Sequence, residues 1–285
     1  MELPIYVFEV IRIRKNKFFI SLLFFVLLSS IFYFWQNNYI VTTYYNYENS
    51  KIPASFNNYK ILQLSDWHNK YFGYQLIEKI DKADPDIIVL TGDFLDVYNP
   101  NEKLANDLLT VLTSKYPVYF VSGNHEKALF KKNYEIKYNL MKHNIVFLEN
   151  KSIDLEKDGE YITLYGIRDY TYNKNIEYDL KTTINKENTN FSILLAHQPQ
   201  YFENYSKYNV DLVFSGHEHG GQIRLPFIGS IYSHQGWFAE WTAGIHKLND
   251  TTMIISRGLG NSEKLPIRLF NQPELVVTTL KSITK

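Results

Sequence analysis

The sequence predicts an α/β fold, a sheet covered by helices, placed behind a single N-terminal transmembrane helix. Three observations carry that expectation. An 18-residue apolar segment near the N-terminus holds no charge. Five short apolar runs downstream each end in Asp, Asn or His, and helix-like stretches separate the early ones.

The apolar segment, Phe18 to Trp35, reads FFISLLFFVLLSSIFYFW. Its length approaches the ~20 residues that cross a bilayer core. Arg12, Arg14, Lys15 and Lys17 precede it, and no cation follows until Lys51. That asymmetry predicts a basic cytoplasmic segment over 1–17 and an anchor over 18–35 in the cell membrane, with an extracytoplasmic remainder. Tyr33 and Trp35 suit the outer interface. The run is long for a signal peptide and no A-x-A-like site follows it, so it reads as a retained anchor. Residues 36–58, rich in Tyr and Asn and containing Pro53, read as a coil tether with a reach of roughly 25 Å. The folded domain then occupies 59–285.

Within that domain, KILQLSDWH, DIIVLTGD, PVYFVSGNHE, FSILLAHQ and VDLVFSGHEH are continuous apolar runs, which suit strands buried on both faces. YQLIEKIDKA and NEKLANDLLTVLTSK alternate with them as helices, with Pro85 and Pro117 near the expected stops. Further on, YITLYGIRD, TTMIISRGLG and ELVVTTLK read as strands. The aromatic stretch 225–244 reads as loop or hairpin, and 174–190 as an exposed helix and loop.

Composition removes several function classes. Lys plus Arg and Asp plus Glu balance at 30 each, so no field favours nucleic acid, and no nucleic-acid partner is expected. Nothing implies an obligate protein partner. The absence of cysteine excludes disulfides, thiolate-held zinc and thiol nucleophiles.

Ligands of α/β folds collect beyond the carboxyl ends of strands, and every polar cluster here falls there. Asp66 and His68 are two residues apart, a spacing that puts strand side chains on one face and within reach of one cation. Asp93 follows Gly92, and Asn124 follows Gly123 beside His125. His197 ends the fourth run, and His217 and His219 repeat the two-residue spacing. Seven candidate ligands exceed the set for one cation and point to two. Oxygen and nitrogen donors without thiolate suit Mn, Fe or Zn better than a Ca or Mg cage.

These motifs stand as DWH at 66–68, GDFLD at 92–96, GNHE at 123–126, His197, and GHEH at 216–219. In that order, over roughly residues 59–280, they resemble the calcineurin-like metallophosphoesterase superfamily. The resemblance implies a four-layer metallophosphoesterase β-sandwich flanked by helices and a metal-dependent phosphoric ester hydrolase, with manganese favoured. It also implies Asp66, His68 and His219 on one metal, and Asn124, His197 and His217 on the other, with Asp93 bridging. His125 would steady the phosphate or protonate the leaving oxygen. As adjacent strand residues, Asn124 and His125 would point apart. Asp96 and Glu126 are expected to orient a histidine or to cap structure. Glu218, where relatives usually carry Thr, should point away from the metals, and Gly220 and Gly221 should permit a sharp turn. His143, His234 and His246 belong to no motif and read as surface or packing residues.

The tail, GGQIRLPFIG through SRGLGNS, resembles more narrowly a membrane-associated bacterial branch that includes YaeI-like and YkuE-like phosphodiesterases. That implies a phosphoester or pyrophosphate substrate in a cell-envelope lipid or polymer. Arg224, Arg257, Phe227, Tyr232, Trp237 and Phe238 either line its path or pack a hairpin. Two other readings stand beside this one: a phosphomonoesterase or nucleotide hydrolase, and a metal-binding scaffold without turnover.

Overall fold

Central strands buried on both faces build the layers. The computed structural model describes residues 3–169, 175–233, 235–261 and 266–283. One six-stranded sheet contains β1 (Val41–Asn49), β2 (Lys60–Leu64), β3 (Ile87–Thr91), β4 (Val118–Val121), β5 (Val146–Phe147) and the C-terminal β15 (Glu274–Ser282), in the order β1-β15-β2-β3-β4-β5. A second contains β6 (Lys151–Lys157), β7 (Glu160–Gly166), β8 (Ser192–Leu195), β9 (Leu212–Ser215), β13 (Gly244–Leu248) and β14 (Thr251–Ile255), in the order β13-β14-β9-β8-β7-β6. Pairings β2–β3, β3–β4, β7–β8 and β8–β9 are all parallel.

Successive strand side chains point to opposite faces, and both faces here are apolar. Ile61, Val89, Ile193 and Phe214 meet between the sheets in one core. Leu62, Ile88, Leu90 and Phe120 face outward beneath α2 (Gln75–Ala83), α3 (Glu102–Thr113) and α5 (Tyr134–Met141). Leu194, Val213 and Met253 face α6 (Ile176–Thr183) and α7 (Phe202–Tyr205) on the other side. The result is helix, sheet, sheet, helix: the four-layer sandwich flanked by helices that the motifs implied. The aromatic stretch folds as a hairpin with one further strand, β10 (Ile223–Leu225), β11 (Gly229–Ser233) and β12 (Gly236–Trp237).

The N-terminal helix α1 runs from Leu3 to Asn38, and its portion Asn16–Asn38 is long and apolar enough to cross a membrane by length and composition. The chain beyond α1 is not coil, so the tether expected over 36–58 is corrected. Gln36 and Asn37 are buried. Asn37 Oδ1 accepts from Arg268 N at 2.8 Å and its Nδ2 donates to Arg268 O at 3.1 Å. Asn271 N donates to Gln36 Oε1 at 3.2 Å, and Lys70 Nζ donates to the Asn37 carbonyl at 2.5 Å. Shortly after the helix ends, β1 begins and pairs in parallel with β15 from Val41–Glu274 to Asn49–Ser282. Thr and Tyr favour half-buried pleated surfaces, so the composition that resembled a linker is that of an edge strand. The folded body therefore starts ahead of Tyr59.

Candidate metal centre

Every motif lies just past a strand, and none of its residues lies on one. β2 stops at Leu64 and β9 at Ser215, so the expectation that strand alternation aligns Asp66 with His68 and His217 with His219 does not hold. The backbone turns instead. Asp66, His68, Asp93, His217 and His219 all have φ between 48° and 70°, the left-handed region that side-chain-bearing residues seldom occupy. Asn124 and His125 likewise are not strand residues; they open α4 (Asn124–Lys132). Their side chains diverge by helical geometry rather than by pleat.

Two glycines make this crowding possible. A Cβ on Gly216 would overlap the Ser65 hydroxyl and the Asp66 carboxylate. One on Gly123 would overlap the carboxylate of Asp93. Gly220 and Gly221, with φ of 67° and 71°, turn the chain after His219 as expected.

The side chains converge from both sheets. Asp66, His68 and His219 form one group and Asp93, His197 and His217 another, each with its ligand atoms within 4.8 Å of one another. His68 Nε2 lies 3.2 Å from His219 Nε2, which is 3.7 Å from Asp66 Oδ1. His197 Nε2 lies 3.1 Å from His217 Nδ1, 3.2 Å from Asn124 Oδ1 and 3.2 Å from Asp93 Oδ2. Asp93 Oδ2 is also 3.9 Å from His68 Nε2, so it faces both groups. All seven sequence candidates are thus brought together. His125 joins them, its Nε2 4.0 Å from Asp93 Oδ2.

Outer contacts fix the rings. His197 Nδ1 meets the Thr91 carbonyl at 2.7 Å and His219 Nδ1 meets the Gly260 carbonyl at 3.3 Å, which turns each Nε2 inward. Val97 N donates to His125 Nδ1 at 2.9 Å, so the neutral ring carries its proton on Nε2. Asp93 Oδ1 accepts from His125 N at 2.9 Å, which leaves Oδ2 for the histidines. Glu126, fully buried, accepts from Asp93 N (2.7 Å), Leu95 N (2.7 Å) and Gly123 N (2.9 Å), the structural cap expected of it. Asp96 accepts from Tyr98 N and Asn99 N, and its other oxygen sits 3.8 Å from His68 Nδ1. Asp96 also forms a third possible metal-holding group with His68 and His125. Thr91, Gly260 and Asn271, whose Nδ2 donates to the His219 carbonyl at 2.6 Å, act through long-range contacts that left no local sequence signal.

Burial raises the Asp66 carboxyl to about 6 and lowers the His68 imidazole to about 4. Burial would also raise Asp93, but the neighbouring His197 and His125 outweigh it and hold the carboxyl well below its usual value. The same pair raises His197: burial works against its charged form, and the Asp93 carboxylate prevails. Nitrogen–nitrogen contacts near 3.1–3.2 Å match the edge of a coordination sphere with ~2.0–2.1 Å metal–nitrogen bonds. The donor set fits divalent cations.

A family model for calcineurin-like phosphoesterases matches residues 59–221, more than half of the chain. The chain belongs to the calcineurin-like phosphoesterase family. The metallophosphoesterase YkuE of Bacillus subtilis is 33% identical over 254 residues, spanning 85% of this chain and 86% of that protein. The metallophosphoesterase Cj0846 of Campylobacter jejuni is 31% identical over 86% of this chain and 65% of its own length. A bovine transmembrane protein with a metallophosphoesterase domain is 27% identical, covering 81% of this chain and 55% of that protein. As a calcineurin-like phosphoesterase with these His and Asp groups, the chain is a metal-dependent hydrolase of phosphoesters.

The peripheral expectations fared unevenly. His143 pairs with Asn106 at 2.8 Å and His246 with the Ala243 carbonyl at 3.1 Å, away from the centre; His234 lies outside the described residues. Glu218 is buried, and neither of its carboxylate oxygens has a hydrogen-bond partner among the described residues. Arg224, Arg257 and Phe227 line a cavity of about 620 Å³ beside Gln36. Tyr232 and Trp237 pack ring to ring at 5.2 Å across the hairpin, while Phe238 is exposed.

Proposed function

We propose that this phosphoesterase is a membrane-anchored, dinuclear phosphodiesterase acting on a phosphoester or pyrophosphate bond in a cell-envelope lipid or polymer. α1 is its single-pass anchor, with the N-terminus cytoplasmic and the sandwich extracytoplasmic. One observation carries the dinuclear reading: Asp93 Oδ2 faces His197 on one side and His68 on the other. Asp66, His68 and His219 would hold one cation; Asn124, His197 and His217 would hold the second; Asp93 would bridge them. Manganese suits this oxygen and nitrogen set, as do iron and zinc.

When bound, two such cations would supply Lewis acidity toward the phosphoryl group and would acidify water. The chain's residues do the rest. Asp66 and Asp93 balance only part of the positive charge, so the centre attracts an anionic phosphoester. His125 presents Nε2–H beside Asp93 Oδ2, where it would donate a hydrogen bond to a phosphoryl oxygen and steady the charge that develops there, the proton staying on the ring. Val97 N and the first turn of α4 keep that ring from rotating away.

The test compares bis-p-nitrophenyl phosphate with p-nitrophenyl phosphate, using the full chain in detergent with Mn²⁺. The diester should turn over faster. Faster monoester turnover would favour a phosphomonoesterase, and no turnover of either by folded, metal-loaded protein would contradict the enzymatic reading.

A further inference from the structure

Beyond the single anchor, we propose that the face around the exit of α1, and above all the tip of the β10–β11 hairpin, is a second membrane contact that seats the metal centre against the lipid surface. The proposal rests on the anchoring proposed above and adds a second, separable contact to it.

The first support is rigidity. A coil tether would let the sandwich tumble, but here Gln36 and Asn37 are locked to Asn271, Arg268 and Lys70 by hydrogen bonds. The body also reaches down beside the apolar segment: the Phe270 ring lies 5.5 Å from that of Phe32. Phe32 is three residues before Trp35, about 4.5 Å along the axis toward the bilayer core. A helix that crosses the membrane therefore fixes which face of the sandwich meets it.

That face is unusually apolar at its edges. Phe227, at the hairpin tip, is fully exposed, and Ile228 beside it is 64% exposed. Both line the cavity of about 620 Å³ that also takes in Gln36, Phe270, Arg224 and Arg257. Across the helix, the loop after His68 forms a second lip, where Tyr71 and Tyr74 are 75% and 91% exposed. Its cavity, about 420 Å³, is shared with Ile31, Phe34 and Trp35 of α1. Aromatic and aliphatic side chains stranded in water on either side of an apolar helix are what an interfacial belt supplies. Behind the hairpin tip, Arg224 donates to the Gly220 carbonyl at 2.7 Å and Arg257 pairs with Glu274 at 2.9 Å, so the contact rests on the apolar tip and these cations brace the hairpin.

The two lips grow from the loops of the metal centre. Tyr71 follows His68 by three residues and Arg224 follows His219 by five. Seating the lips in lipid brings the Asp66, His68 and His219 side of the centre to the headgroup layer, where a lipid-borne phosphoester is presented.

The natural sequence has no cysteine, so single cysteines report cleanly. An environment-sensitive nitrobenzoxadiazole label is attached in the full chain at Phe227→Cys, with Ile228→Cys as a second tip position. Phe25→Cys marks the anchor, and Asp158→Cys marks the β6–β7 turn at the opposite end of the sandwich. The protein is reconstituted in phosphatidylcholine–phosphatidylglycerol vesicles carrying spin-labelled lipid. Labels at 227 and 228 should shift to the blue and lose most of their emission to spin labels near the headgroup; the label at 158 should do neither. Quenching at 25 with solvent-like emission at both 227 and 228 would overturn the second contact and leave the anchor standing. Solvent-like emission at 25, 227 and 228 together would remove both.

Discussion

Glu126 is where the fold and the metal centre are most tightly joined, and Glu126→Gln measures that joint. Its carboxylate is buried and accepts three backbone N–H groups, from Asp93, Leu95 and Gly123. A glutamine amide offers one acceptor atom. Placed at the Oε2 position it keeps the Asp93 and Gly123 bonds, while its NH₂ then faces the N–H of Leu95. One buried N–H left without an acceptor costs about 1–3 kcal/mol, and turning two charge-assisted bonds into neutral ones costs about 1 kcal/mol each. Part of this is returned. Burial first, and Asp93 second, push the Glu126 carboxyl up to about 7, so its ionised form is itself held at a cost that glutamine avoids. The net loss at pH 8 should be roughly 2–4 kcal/mol, or a Tm lower by roughly 5–10 °C. Differential scanning of detergent-solubilised protein reads the stability, and elemental analysis reads the metal. Because the N–H of Asp93 is held by this carboxylate, metal content should fall with stability. An unchanged Tm together with unchanged metal content would refute the argument that Glu126 supports the Asp93 turn.

Two further outcomes rest on the same geometry. His125→Asn should keep both cations, since His125 is outside the proposed ligand set, yet lower kcat by about 10²–10³-fold, the usual cost of losing one hydrogen-bond donor to a developing oxyanion. Steady-state kinetics with metal analysis checks this, and metal loss would move His125 into the ligand set. Acid should act unevenly on the two halves of the centre. The His197 imidazole is raised well above its ordinary value, chiefly by Asp93 against the effect of burial, so in metal-free protein it already holds a proton near neutrality. A cation must displace that proton, so affinity on that side falls as pH falls, and does so at higher pH than for an ordinary histidine ligand. On the other side His68, lowered by burial to about 4, stays neutral until much lower pH, and only Asp66, raised by burial to about 6, takes up a proton as pH falls through 6, so that half weakens later. Titrating Mn²⁺ by calorimetry at pH 6 and 8 should show one of the two sites losing more affinity than the other, and equal losses at both sites would contradict the assignment.

Much of the layered fold could be read from the sequence because buried strands leave a simple mark. KILQL, DIIVLT, FSILL and DLVFS are apolar on both faces, and each is a strand buried on both faces. The candidate site residues were equally visible, because Asp, Asn and His stand out at the ends of apolar runs. The local path of the backbone was not. Nothing in D-W-H announces that Asp66 and His68 would both turn left-handed, since the neighbours packed against that turn, Gly216, Gly258 and Gly260, come from far along the chain. Nor does GNHE announce a helix start: an apolar run leads into it, and the first turn of α4 is polar because it faces the centre. The 36–58 segment misled for another reason. An edge strand with one solvated face carries Tyr, Thr and Asn, and its pairing partner, β15, lies more than 200 residues away.

In the proposed centre, seven side chains reaching in from both sheets would enclose two cations with Asp93 between them. Anomalous X-ray scattering from crystals of Mn²⁺-loaded protein tests it most directly. Two peaks should appear ~3.5–4 Å apart, one among Asp66, His68 and His219, the other among Asn124, His197 and His217, with Asp93 touching both. A single peak at full metal loading, or two peaks with Asp93 bound to only one, would contradict the account.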